Sequence, residues 1–154
     1  MSRFAALFAF AVLVFGSLAA EAAPAQRGGP LLRLRQASGF VPRPLAKSLD
    51  CRVYADHVAI ERNFAGVKVE ETRAMTIDTG AIYSLIGEAK KAKLETTRGP
   101  VDGPFIAYEG FLILPADGLE TVTLSSLNGG TGEMISNPSE SAQILKNVLD
   151  GLCQ

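Results

Sequence analysis

The sequence predicts a small single α+β domain: a mostly antiparallel sheet with two helices packed on it, in the order strand, strand, helix, repeated once. Three observations lead there. Val67, Val69, Met75 and Ile77 fall at alternate positions, with Lys68, Glu70, Thr72 and Thr76 between them, which is the period of a half-buried strand. Ile82, Leu85, Ile86 and Ala89 instead recur at helical spacing, as do Ala142, Leu145, Val148 and Leu149, so each set forms one stripe. The chain has 154 residues, and the 132 that follow residues 1–22 suffice for one hydrophobic core.

Residues 1–22 read as a cleavable signal peptide. Met1-Ser2-Arg3 is a short basic start, residues 4–20 are apolar apart from Gly16 and Ser17, and Ala20-Glu21-Ala22 supplies the small residues that signal peptidase requires. A secreted or periplasmic location is expected, with no membrane span after processing. No cysteine stands at the cleavage site, which excludes the lipoprotein pattern.

Residues 23–50 carry five bases (Arg27, Arg33, Arg35, Arg43 and Lys47) against one acid, whereas residues 51–154 carry nine against fourteen. With Gly28, Gly29, Pro30, Gly39, Pro42 and Pro44 interleaved, this stretch reads as an irregular basic arm in front of a body at 51–154. Leu31, Leu32, Leu34, Phe40 and Val41 are its apolar residues, and they suit packing on the body or a short partner-binding segment. The formal net charge of −1 points away from nucleic acid and from polybasic membrane binding. In an oxidising compartment the two cysteines, Cys51 and Cys153, are expected to form one structural disulfide that brackets the domain.

Residues 51–62 are expected to form a strand with a bulge near Asp56-His57, followed by a turn at 63–66 and a second strand over 67–77. A helix follows at 81–93, with Lys90, Lys91 and Lys93 near the negative end of its dipole. Two Gly-Pro dipeptides make 98–104 a loop, 105–114 and 119–127 read as strands about the turn signal Pro115-Ala116-Asp117-Gly118, and the glycine-rich 128–136 reads as a mobile loop. Asn137-Pro138-Ser139-Glu140 then places an N-cap, a first-turn proline and a glutamate ahead of the second helix, and Gly151 stops it.

Little in the chain carries chemistry. The single histidine, His57, lies in an expected strand and no serine has nucleophile-elbow glycines around it. Gly129-Gly130-Thr131-Gly132 lacks the following Lys-Ser/Thr of a phosphate-binding loop and reads as a connection. Glu70-Glu71 and Glu109 are acids in strands with no assignable partner. Two cysteines and one histidine at remote positions are too few for a metal site. No catalytic, cofactor-binding or metal-binding residue is assigned.

One stretch resembles a known motif. Asp78-Thr79-Gly80-Ala81, preceded by Met75-Thr76-Ile77 and followed by Ser84-Leu85-Ile86, resembles the active-site loop of retropepsin-like aspartic proteases. The resemblance covers about a dozen residues. It implies a homodimer in which Asp78 of each chain is the catalytic acid-base, sharing a proton, with Thr79 and Gly80 supporting the loop. The apolar-apolar-Gly motif that the family carries near its C-terminus is not found in the expected place. Read locally, the same triplet is a helix start in which Asp78 caps the first turn. The functional expectation is therefore an exported, non-catalytic domain that binds another macromolecule, as an inhibitor or an envelope-associated module does. The alternative is the dimeric protease.

Overall fold

The computed structural model describes residues 28–114 and 118–154. The expected signal peptide lies outside the described residues. The domain is α+β, with an eight-stranded antiparallel sheet and two helices.

Four strands precede each helix: β1 (Leu32–Ala37), β2 (Lys47–Val53), β3 (His57–Phe64), β4 (Val67–Ala74) and α1 (Thr79–Lys90), then β5 (Glu95–Arg98), β6 (Phe105–Leu114), β7 (Gly118–Asn128), β8 (Glu133–Ser136) and α2 (Glu140–Leu152). Across the sheet the order is β4-β3-β2-β1-β6-β7-β8-β5. The expected alternation of two strands and one helix is thus corrected to four and one. The added strands are β1, β2, β5 and β8.

The basic arm at 23–50 is corrected as well, over the residues described. Its Leu32–Ala37 segment is a central strand, paired with β2 on one side and β6 on the other. The cause is the alternation of Leu32 and Leu34 with Arg33 and Arg35, which lets one strand face the core and water at once. The leucines are buried under the helices. The arginines turn to the opposite face, where the charge imbalance of the sequence is resolved in pairs: Arg33 to Asp50 at 2.6 Å and Arg35 to Glu109 at 2.6 Å. Arg52 also reaches Asp50. Burial alone would push the Asp50 carboxyl up, but the hydrogen bonds from Arg33 and Arg52 outweigh it and hold the carboxyl below its ordinary range. Its contribution to stability is therefore present above that range and lost as pH falls through the lowered value.

The single strand expected at 51–62 is a hairpin, because Tyr54 N donates to His57 O at 2.8 Å and the chain reverses where a bulge was expected. At 65–66 the turn is tight. Ala65 and Gly66 both take left-handed conformations (φ 54° and 87°), which suits a two-residue hairpin.

Both helices lie on one face. Ile82, Ile86 and Ala89 of α1 and Ala142, Leu145 and Leu149 of α2 join Leu32, Leu34, Val53, Val58, Ile60, Val122 and Leu124 of the sheet in one core. Gly110 lets α1 approach, since a Cβ there would lie 3.0 Å from Ile86 Cγ1. The expected bond joins Cys51 of β2 to Cys153 after α2, with Cα atoms 5.8 Å apart. Among the described residues no helix is long and apolar enough to cross a membrane.

The cap of α2 is Ser139, whose side chain accepts from Ala142 N, and not Asn137 two residues earlier. Asn137 is buried instead. Its side-chain nitrogen donates to Ala89 O at the end of α1 (2.9 Å) and to Thr123 O of β7 (3.4 Å), and its oxygen accepts from Ser139 N and Oγ.

Candidate functional site

Strand register sets the helix-side face in rows. Tyr108, Leu34, Cys51 and Ile60 stand opposite one another across β6, β1, β2 and β3. The helix α2 meets this row at two places: Tyr108 Oη donates to Asp150 at 2.8 Å, and Cys153 is bonded to Cys51. The next row is Ile106, Gln36, Leu49, Arg62 and Val69, and beyond it come Lys47, Phe64 and Val67. Over these two rows lies an open hollow of about 510 Å³, lined by strand and loop residues and by none from either helix.

The floor is mostly hydrocarbon, with Leu49, Ile106, Pro104 and Phe64 along it. Phe64, Val67 and Val69 remain 51%, 65% and 57% exposed, high values for neighbouring apolar residues on one sheet edge. Two cations stand over this surface. Lys47 Nζ lies 5.2 Å from the Phe64 ring centre and makes no ion pair among the described residues. Arg62 donates to Glu71 (3.1 Å) and to Cys153 O (3.3 Å), which holds its guanidinium at the rim. Hydrocarbon, amide, ammonium and guanidinium groups bind by contact and charge.

Tyr108 stands in the neighbouring row, next to Leu34. Burial, and then the hydrogen bond to Asp150, push its hydroxyl up to about 12. The folded state therefore favours the neutral phenol. This contribution is complete below the ordinary tyrosine value of 10.0 and is lost as pH rises from there to about 12. Ultraviolet titration of the tyrosines is expected to show one late step that is missing from Tyr108→Phe.

The residues singled out in the sequence lie elsewhere. Asp78 is exposed and caps α1, accepting from Ala81 N at 3.0 Å. Gly80 is already the second residue of the helix, so the triplet leads straight into a regular turn. Asp78→Ala is expected to lower the unfolding free energy by about 1 kcal/mol, measured by urea denaturation.

His57 starts β3, its Nδ1 is 2.7 Å from Asp56 Oδ1, and its ring stacks on Tyr54 at 4.4 Å. The hydrogen bond from His57 draws the Asp56 carboxyl below its ordinary range. From His57 to Phe64 is a run of seven residues, roughly 23 Å at strand spacing, so the histidine stands well away from the hollow. Glu70 pairs with Lys68, Glu71 with Arg73 and Arg62, and Glu109 with Arg35.

The glycine-rich loop is not a free connection. Gly129 N donates to Pro104 O, Gly130 N to Asn128 Oδ1, and Thr131 N and Gly132 N to Asn128 O. These four amides are engaged within the fold, which removes the donors an anion cradle needs. The loop expected at 98–104 and the mobile loop expected at 128–136 are docked on each other: Gly99 N meets Gly132 O at 2.6 Å and Asp102 N meets Gly129 O at 2.8 Å. A Cβ at Gly129 would lie 1.8 Å from Gly103 O, so only glycine fits that crossing.

Sequence reasoning missed the hollow. Its residues come from four separated segments, and only the register of the sheet brings Gln36, Leu49, Arg62 and Ile106 into one row. Comparison with protein-family models, with curated proteins and with solved structures gives no match.

Proposed function

We propose that the protein is an exported, non-catalytic binding domain of the inhibitor-like or envelope-associated kind, and that the hollow beyond α2 takes an extended segment of a partner protein. The observation that carries this reading is the pair of uncovered rows on an otherwise packed sheet face. An apolar floor of this extent is unfavourable in water unless something covers it. Lys47 and Arg62 select for a segment that sets apolar side chains next to a carboxylate, since an ion pair beside desolvated hydrocarbon is stronger than one in open solvent. Export is supported by the apolar amino-terminal run and agrees with the bond between Cys51 and Cys153.

The test is selection of displayed random peptides on the purified protein, followed by affinity measurement on variants. Enriched peptides are expected to combine aromatic or branched residues with Asp or Glu, and to lose about tenfold or more in affinity on Lys47→Glu. Phe64→Ser, at an exposed position, should weaken them too. Peptides that bind both variants as well as the parent protein would place the site elsewhere.

A further inference from the structure

The strand β4 is one edge of the sheet, and its eight residues pair with β3 alone. Phe64 and Val67 flank the two-residue turn, which makes them a hydrogen-bonded pair. The pattern alternates from there. Arg62 with Val69 and Ile60 with Glu71 are bonded in the same way, so the amides and carbonyls of Lys68, Glu70 and Thr72 point outward from the sheet. This edge is about 26 Å long. It contains no proline, and its register with β3 is unbroken. Folded proteins commonly blunt such an edge with a proline, a bulge or charged side chains, and of these β4 carries only the charges, Lys68, Glu70, Glu71 and Arg73.

We propose that β4 pairs antiparallel with β4 of a second copy of this chain, about a two-fold axis at Val69. In that register Lys68 stands opposite Glu70 of the other copy, Glu70 stands opposite its Lys68, and Val69 meets Val69. The charges complement each other twice, and the outward-facing backbone groups of Lys68 and Glu70 are the ones that meet. Within one copy Lys68 already serves two acids, Glu61 at 3.1 Å and Glu70 at 2.6 Å, and across the axis it also meets Glu70 of the other copy.

Neighbouring registers are worse. An axis at Lys68, Glu70 or Glu71 sets like charges against each other. An axis at Thr72 pairs Glu71 with Arg73, but Arg73 donates to Gln154 O at 2.5 Å, and that axis drives the two carboxyl-terminal corners together. It also leaves the exposed Val67 and Val69 in water. With the axis at Val69 the covered end of each copy instead meets the uncovered end of the other. The row Ile106, Gln36, Leu49, Arg62 and Val69 then continues into its counterpart, giving one row across ten strands, five from each copy, within a joined sheet of sixteen. The pairing does not depend on what fills the hollow.

Sedimentation of the whole exported protein tests this. A dimer is expected at about 0.1 mM, with Lys68→Glu and Glu70→Lys each weakening association about tenfold or more. An equimolar mixture of the two variants is expected to associate as the parent does, because the new acid of one copy faces the new base of the other. Val69→Cys should crosslink on mild oxidation, since a non-hydrogen-bonded pair holds Cα atoms about 4.5 Å apart, within disulfide reach. A parent protein that stays monomeric at about 1 mM overturns the proposal, as does a mixture no better than either variant alone. Crosslinking through Thr72→Cys in place of Val69→Cys overturns the register.

Discussion

Replacing both Cys51 and Cys153 by alanine lowers the unfolding free energy by about 2–5 kcal/mol. The bond spans 102 residues. In the chain-entropy view a loop of that size restricts the unfolded chain by about 4–5 kcal/mol, and measured effects often fall below this figure. Location adds to the loss. Cys51 stands in the middle of the sheet, in the row beneath α2, and both cysteines are buried, so alanine also leaves a small void under the helix. A domain of this size has about 5–15 kcal/mol in all, so the variant retains a much narrower margin. Urea unfolding of the oxidised parent against the double variant gives the difference. A loss under about 1 kcal/mol would mean that α2 is held by packing alone.

Asn137→Ala comes next, at about 2–4 kcal/mol. Asn137 is 1% exposed and is the one buried polar residue among those described. Its amide holds the last turn of α1, the edge of β7 and the cap of α2 together through four side-chain hydrogen bonds. Truncation removes the partner of Ser139 N and deprives the buried Ala89 carbonyl and the part-buried Thr123 carbonyl of a donor, and unmade buried bonds cost more than exposed ones return. Asn137→Asp should also destabilise, because it replaces a double donor by a buried negative charge facing two carbonyl oxygens. Thermal unfolding of the two variants measures the effect, and a change within the range of a surface substitution would remove Asn137 from this role.

The legible parts of the sequence were those where one periodicity runs long enough to be seen. The stripe Ile82, Ile86 and Ala89 and the stripe Ala142, Leu145 and Leu149 became the buried faces of the two helices. The cap at Asp78 and the Cys51–Cys153 bond were also readable, because each rests on residue chemistry that acts at short range or admits one pairing. The strand β1 was not. Leu32-Arg33-Leu34-Arg35 alternates correctly, but glycines and prolines on both sides give the segment the composition of a linker, and only β6, more than seventy residues on, makes it central. Strands β5 and β8 are four residues each and largely polar, too short for a period to register. Asn137 followed the local rule for a cap and was taken by the tertiary structure for a different task. The hollow left no local trace, since it exists where α2 ends and the sheet continues.

Amide chemical-shift mapping of a selected peptide on the isotopically labelled protein tests the central claim most directly, namely that binding occurs where the sheet runs on beyond α2. The expected result is a contiguous set of shifts at Gln36, Leu49, Arg62, Phe64 and Ile106, with His57, Asp78 and the 129–132 loop unmoved. Shifts centred on Asp78, or on the ion-paired face of Arg33, Arg35 and Asp50, would contradict it.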